Sequence, residues 1–366
     1  MLRKVMNAGP RLSKGAVRLF ASLVIFLYVV LYLKASAFLP EFVFRDSDKI
    51  QSQVGGSSTY QDTSFDVVAK FYAALGNGGS KLFVLGIGVA FIWLTISFSK
   101  RLGSLLVNAV LVAPCLFFNL FVASKDTLVV LMSIVLVLLG RKCNAWCVAL
   151  AAVALYAGYA LTVRIYFALI LAVAVGVWVY RAGSWRRKPV LIVAALLCLC
   201  VLPDKAYFAL LHPRDMAVDY LVAGSPYGAR TSFYNLIEPA SFTAFCVDYI
   251  YASLKLNMAV LFSPGPKEFT MLVFVWIVFG SVFGRLSDRD IVGNVRAYAV
   301  NLLACVVIGH IAVSMLFEPD LGSYIRHLSS VALFCGWRLS YMGARSALAD
   351  RSPLKSDVYR PQKAST

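Results

Sequence analysis

Ten apolar stretches, separated by short charged segments, run along almost the whole chain. A helix needs about 20 apolar residues to cross the hydrocarbon core of a bilayer, and Lys and Arg side chains at its ends can extend a shorter one to the polar surface. The stretches therefore predict an all-α polytopic membrane protein with about ten transmembrane helices. We place the spans at 17–39, 82–99, 102–123, 127–140, 145–163, 165–180, 189–203, 269–284, 297–317 and 328–343.

The distribution of charge predicts how these spans are oriented, because Lys and Arg favour cytoplasmic loops. With the N-terminus inside, alternation through ten spans places 22 of the 35 basic residues, but only 4 of the 18 acidic ones, on the cytoplasmic side. Both termini are then cytoplasmic, as a basic tail at 1–16 and a second tail at 344–366, and 17–343 is the transmembrane domain. The first span has a long apolar run and a poor cleavage site, so we interpret it as a retained anchor.

This asymmetry also explains the net charge of +17, which faces the anionic inner leaflet of a bilayer. We predict no nucleic-acid partner, because 60% hydrophobic and 14% charged residues are typical of a membrane chain. Of the eight cysteines, only Cys246 lies outside, so we expect no disulfide within the chain. Cys198 and Cys200 have no His or acid nearby and are not expected to bind metal.

Two outer loops, at about 40–81 and 204–268, are longer than simple connectors and are expected to carry structure or function. The part of the second loop at 239–262 mixes apolar and aromatic residues, which favours an amphipathic interfacial helix or a re-entrant segment. The cytoplasmic loops are short, and the sequence contains no Walker loop or dinucleotide fingerprint. Any chemistry is therefore expected at the outer face, without a cofactor.

Ionisable residues concentrate at the outer ends of the spans. They lie at three hinges: Lys125 and Asp126 before the fourth span, Arg164 between the fifth and sixth, and Glu318, Asp320, Arg326 and His327 between the ninth and tenth. For any single residue, a solvated anchor is an equally good interpretation. Because ionisable groups at a membrane edge are costly unless hydrated or paired, the group as a whole indicates a functional site.

Two other polar features have simpler interpretations. His310 lies in the middle of a span. We expect its role to be a hydrogen bond between helices and not the transfer of protons. Asp46-Ser47-Asp48 has the spacing with which some sugar transferases hold a divalent cation. This pattern is too short to be specific, and we predict no metal site.

The order of several motifs resembles that of bacterial membrane proteins that synthesise cell-surface polysaccharides. In chain order these are Pro114 followed by Ser124-Lys125-Asp126, Arg164 after the fifth span, Pro264-Gly265-Pro266 before a late span, and Gly322 leading to Arg326-His327. On these motifs the chain resembles the Wzy-type O-antigen and exopolysaccharide polymerases, GT-C-like relatives of the O-antigen ligases. It departs from their pattern at Ile165, where a proline often follows the arginine.

The resemblance implies an enzyme of the bacterial inner membrane, working with other polysaccharide assembly proteins. It would transfer a glycan from an undecaprenyl-diphosphate carrier to a sugar hydroxyl at the periplasmic face. Arg326 and Arg164 would bind the diphosphate with help from Lys125, and Asp126 and Arg230 would also contact substrate. The base would be Glu318, Asp320 or His327. Aromatic residues of the second loop are candidates for stacking on sugar rings: Tyr220, Tyr227, Phe233 and Tyr234.

Two alternatives stay open. A non-enzymatic transporter or flippase of a lipid-linked sugar is disfavoured because the sequence has no internal repeat and places its polar residues at one face. A membrane acyltransferase is disfavoured because such an enzyme would need an early catalytic histidine, whereas the first histidine here is His212.

Overall fold

The computed structural model describes residues 2–39, 43–57, 59, 61, 63–223, 230–283 and 295–349. In these ranges the chain is helical and forms no strand, which confirms the predicted all-α fold. The first nine helices are α1 (Leu2–Met6), α2 (Lys14–Leu33), α3 (Ala35–Phe38), α4 (Arg45–Val54), α5 (Ser64–Ser97), α6 (Leu102–Cys115), α7 (Lys125–Lys142), α8 (Ala145–Thr162) and α9 (Tyr166–Ala182). The others are α10 (Arg187–Cys200), α11 (Asp204–Ala223), α12 (Phe242–Asn257), α13 (Ala259–Phe262), α14 (Pro266–Phe283), α15 (Val295–Phe317), α16 (Leu321–Ser330) and α17 (Ala332–Ala349).

Six helices in the described part of the chain are long and apolar enough to cross a membrane. They are α2, α5, α6 together with the π-helical turn Leu116–Leu120, α8, α14 and α15. A seventh span is possible if α10 and α11, which meet at an angle of 89°, form one broken span. The chain is thus a helical protein with several segments suited to a bilayer.

The other predicted spans also coincide with helices, but these are shorter or more charged. The α9 helix has 17 residues, and α7 carries ionised residues in its first and last turns. The α17 helix includes Arg338, which is buried and donates from Nε to the carbonyl of Ser281 at 2.7 Å. Ten spans, and their direction across the membrane, therefore stay a prediction. Within the predicted tail at 344–366, residues 350–366 lie outside the described residues.

The centre of the bundle is α15, which packs along α9. A Cβ atom on Gly309 would lie 2.5 Å from the carbonyl oxygen of Ile170, so the two backbones are in direct contact and only glycine fits. On the next residue, His310 Nε2 is 2.8 Å from the hydroxyl of Tyr156 on α8. This confirms the predicted hydrogen bond between helices.

Both outer loops contain helices. In the first, α4 ends at Val54 with Gly55 as its C-cap, and the chain then turns through Gly56, whose φ of 91° favours glycine. In the second, α12 confirms a helix within 239–262. The neighbouring α11 brings in Arg214, which is fully buried and donates to the carbonyl of Leu316 at 2.8 Å, near the end of α15. The hydrogen bond of Arg214 therefore connects the second loop to the end of the central helix.

The segment predicted as an N-terminal tail also packs on the bundle where it is described. The amide of Leu12 donates to Lys100 O at 3.0 Å, and the amide of Leu102 donates to Pro10 O at 3.2 Å. Met6 is buried. The start of the chain is thus docked on the first turn of α6, at the end of the bundle opposite to the hinge residues.

Candidate functional site

The site is built around Asp126, in the first turn of α7. The helix begins there because the Ser124 hydroxyl accepts a hydrogen bond from the amide of Thr127 at 3.1 Å. The carboxylate that follows is completely buried, and the positive end of the helix favours its charge. Asp126 Oδ1 lies 3.0 Å from Arg164 Nη1, and Oδ2 lies 3.4 Å from Arg326 Nε. One carboxylate thus joins two arginines from distant parts of the chain.

Arg164 lies in the tight turn between α8 and α9, at the same end of the bundle as Asp126. Besides its ion pair, Nη1 donates to the hydroxyl of Tyr166 at 2.7 Å and lies 3.3 Å from the ring nitrogens of His327. Its side chain is only 11% exposed. The guanidinium is therefore fixed in position by several partners.

His327 lies between two carboxylates. Its Nε2 is 2.9 Å from Glu318 Oε1, and its Nδ1 is 3.4 Å from Asp126 Oδ1. Glu318 follows the last turn of α15, and His327 is carried by α16. The two acids fix the orientation of the ring, and the ring in turn holds the Glu318 carboxylate in position.

Arg326 is the most accessible member of the cluster, with 26% of its side chain exposed. Its Nη1 lies 2.9 Å from Asp46 Oδ2, so α4 covers one side of the cluster. Its carbonyl accepts a hydrogen bond at 3.0 Å from Asn119, which belongs to the π-helical turn after α6. Such turns occur frequently at functional sites. Asp46 is thus a partner of an arginine in this structure, a role that sequence reasoning missed.

Lys125 lies at the edge of the cluster and is buried against α5. Its Nζ is 3.4 Å from the centroid of the Phe65 ring and donates to the Ser64 hydroxyl at 3.1 Å. Burial, followed by the charge of Arg164, lowers the pKa of Lys125 to about 7. Its charge therefore changes near neutral pH, unlike that of an exposed lysine.

The charges of the cluster are matched within the described residues. The cations are Arg164, Arg326 and Lys125, and the carboxylates are Asp46, Asp126 and Glu318. Burial alone would raise the pKa of Asp126, but Arg164, His327 and Arg326 outweigh that effect and hold its pKa well below the ordinary range. Asp126 Oδ2 and Arg326 Nε are buried and form no hydrogen bond within the described residues. Buried polar atoms of this kind are costly and often mark functional sites.

Two of the residues predicted for the site lie apart from it. Asp320 caps α16, because its carboxylate accepts hydrogen bonds from the amide of Gly322 at 2.6 Å and from the amide and hydroxyl of Ser323. It is therefore occupied locally and does not face His327. Arg230 is 60% exposed and lies 3.7 Å from Glu268, in the second outer loop.

The aromatic candidates of the second loop are dispersed. Phe233 is buried beneath the guanidinium of Arg214, at 5.0 Å from ring centroid to Cζ. Tyr234 is exposed and donates to Asp219, and Tyr220 is exposed beside Lys49. The predicted Tyr227 lies outside the described residues.

No group of three or more His, Cys, Asp or Glu side chains in the described ranges is arranged to hold a metal ion. In comparisons with known proteins, no family model matches the chain, and neither a curated protein nor a solved structure matches it. Its class is therefore argued from its own residues: a helical protein suited to a membrane, with a buried cluster of ionisable groups at one end of its bundle.

Proposed function

We propose that this chain is a glycosyltransferase of the bacterial inner membrane that takes its donor glycan from a polyprenyl-diphosphate carrier. The reaction is the polymerisation of repeat units in the assembly of O-antigen or exopolysaccharide. The observation that carries the proposal is the meeting of Arg164 and Arg326 at buried Asp126, directly beside the His327–Glu318 pair. In the ten-span topology predicted from the charge distribution, this end of the bundle faces the periplasm.

The two arginines suit a diphosphate at the membrane surface. A guanidinium binds phosphate oxygens through two parallel hydrogen bonds, and Arg326 is both held in place and partly accessible. An incoming diphosphate would replace Asp46 as the partner of Arg326. As the glycosyl–oxygen bond breaks, negative charge develops on the departing diphosphate, and fixed cations stabilise it most strongly in the transition state.

The His327–Glu318 pair supplies the second requirement of the reaction, which is a proton acceptor. The oxygen of the acceptor hydroxyl attacks the anomeric carbon of the donor, and the bond from that carbon to the diphosphate oxygen breaks. The electron pair leaves with the polyprenyl diphosphate, and the hydroxyl proton passes to the carboxylate of Glu318. His327, whose Nε2 lies 2.9 Å from Glu318 Oε1 and whose Nδ1 faces Asp126, holds that carboxylate in position.

The experiment compares Arg326→Ala and Arg326→Lys with the parent protein in nanodiscs supplied with undecaprenyl-diphosphate-linked repeat units from the host cell. The release of carrier diphosphate and the length of the glycan product are measured. Loss of a cation that stabilises the transition state costs about 3 kcal/mol, so Arg326→Ala should slow the reaction roughly a hundredfold. Arg326→Lys should also be slow, because an ammonium cannot form the planar pair of hydrogen bonds.

Arg187→Ala is the matched control, since Arg187 is exposed at the opposite end of the bundle. Its rate should equal that of the parent. Near-normal turnover by Arg326→Lys would contradict the proposal. Movement of the lipid-linked repeat unit across the bilayer without release of the carrier would instead favour a transporter.

A further inference from the structure

A small polar depression lies beside the candidate site, in the second outer loop. It is formed by residues 230–232 and by the end of α12 with α13, and its volume is about 20 Å³. Arg230 and Lys255 line it together with Thr231, Ser232 and Ser263, and the Ser263 hydroxyl donates to Arg230 O at 3.4 Å. Two cations around such a small space are suited to an anionic group.

The depression has an excess of positive charge within the described residues. Lys255 Nζ lies 4.4 Å from the centroid of the Phe262 ring, and no ion pair to Lys255 is formed in that part of the chain. Arg230 donates to the carbonyl of Pro264 at 2.6 Å, whereas its nearest carboxylate, that of Glu268, is 3.7 Å away. The arginine is thus oriented by a backbone oxygen and keeps donors available to a ligand.

Hydrogen bonds from Thr231 and from two residues next to the depression, Phe233 and Asn257, connect it to the segment that carries the candidate site. The hydroxyl of Thr231 accepts from the amide of Leu321 at 3.3 Å, and the amide of Phe233 donates to Pro319 O at 3.1 Å. Asn257, at the end of α12, accepts from the hydroxyl of Tyr324 on α16 at 2.8 Å. The depression therefore has a fixed position relative to Glu318, Arg326 and His327.

We infer that Arg230 and Lys255 bind the carboxylate of an acidic sugar, so that the glycan handled by this protein is an acidic polysaccharide. The inference rests on the proposed function and names its class of substrate. About 10–15 Å³ is needed to hold one water molecule, so a space of about 20 Å³ has room for one or two groups of that size, such as the oxygens of a carboxylate. The ring would lie outside, against Phe262, whose side chain is 43% exposed.

The test measures binding, not turnover. The full-length protein in nanodiscs of neutral phosphatidylcholine is titrated with a fluorescently labelled hyaluronan hexasaccharide, whose glucuronic acid units carry carboxylates. The same hexasaccharide with its carboxylates reduced to alcohols is the neutral comparison. The parent protein should bind the acidic form at least tenfold more tightly. Arg230→Gln with Lys255→Gln should remove this preference and leave the affinity for the neutral form unchanged.

Lys205→Gln is the control for a general loss of positive charge, since Lys205 is exposed on α11. It should keep the preference. Equal binding of the acidic and neutral forms by the parent protein would overturn the inference, and so would an equal loss of preference in the control. Competition by phosphatidylglycerol vesicles or by inorganic phosphate as effective as that of unlabelled hexasaccharide would show a lipid-headgroup or phosphate site instead.

The outcome is separable from that of the proposed function. Failure of the binding test would leave the Arg326 result intact, because the Arg326 assay follows release of the carrier. Conversely, near-normal turnover by Arg326→Lys would refute glycosyl transfer at the cluster, while a carboxylate preference at Arg230 and Lys255 would still be measurable.

Discussion

Asp126→Asn is the substitution that should disturb the cluster most with the least change in shape. The amide has nearly the same size as the carboxylate, but it leaves the buried guanidinium of Arg164 and the Nε of Arg326 without their counter-charge. Breaking a buried ion pair by removing one partner costs about 3–5 kcal/mol. Because Asp126 is completely buried and Arg164 is 11% exposed, solvent screens this loss little.

The assay is the loss of helical circular dichroism in purified protein, followed against denaturant in one detergent. Since the pKa of Asp126 is lowered on folding, its stabilisation is present above the unfolded pKa of about 3.9 and is lost only as the pH falls through the folded pKa. The destabilisation of the variant should therefore be fully present at about pH 6. It should shrink somewhat towards about pH 8, because Lys125, which also interacts with Asp126, loses its charge above about pH 7. Glu238→Gln, at an exposed carboxylate, should stay within about 0.5 kcal/mol of the parent.

A second variant separates the charge from the packing. Asp126→Leu combined with Arg164→Leu removes the carboxylate and one of its two arginines, while Arg326 keeps Asp46 as a partner. The double variant should therefore recover part of the stability, because an apolar pair has no desolvation cost. The reasoning would be refuted if Asp126→Asn were as stable as Glu238→Gln, or if the double variant were less stable than Asp126→Asn.

Three further predictions concern the function, the cap and the topology. The pKa of Lys125 is about 7, so its positive charge is lost as the pH rises above that value, and kcat/KM for the donor should fall above pH 7. Lys125→Arg should abolish this fall. A pH profile of turnover for the parent and the variant tests this prediction. Asp320→Asn should keep turnover near normal and lower the unfolding free energy by at most about 1 kcal/mol, as expected for a cap and not for a base. Alkaline phosphatase fused after Gly224 should be active and after Ser184 inactive, and the reverse pattern would overturn the predicted orientation.

The sequence predicted the helices well because the residues that cap a helix lie next to it in the chain. The start of α7, for example, follows from Ser124 and Thr127 ahead of an apolar run. The capping role of Asp320 also had a local signal, since Ser323 follows three residues later, although the charged residues around Asp320 favour a catalytic role. The number of spans was harder to predict, because helices such as α9 are short and α10 meets α11 at a sharp angle.

For the ion pairs within the cluster, the neighbouring sequence contained no such signal. Asp46 and Arg326 are 280 residues apart, and a two-residue acidic pattern in a loop says nothing about which cation it meets. The hinge positions did predict that Arg164 and Asp126 would share one end of the bundle. Their direct contact, and the separation of Arg230 into a second polar region, depend on how the helices pack and could not be read from spacing.

The contact at Gly309 has a consequence for how this surface can change. Arg164 precedes the first turn of α9 and Glu318 follows the last turn of α15, while the backbones of these helices touch at Ile170 and Gly309. Nine residues of helix, roughly 13 Å, separate Gly309 from Glu318. The spacing of the two groups at the surface is therefore set deep in the bundle. Under the proposed function, the outer loops can accept new sequences, and with them new glycans, while Arg164 and Glu318 keep the same separation.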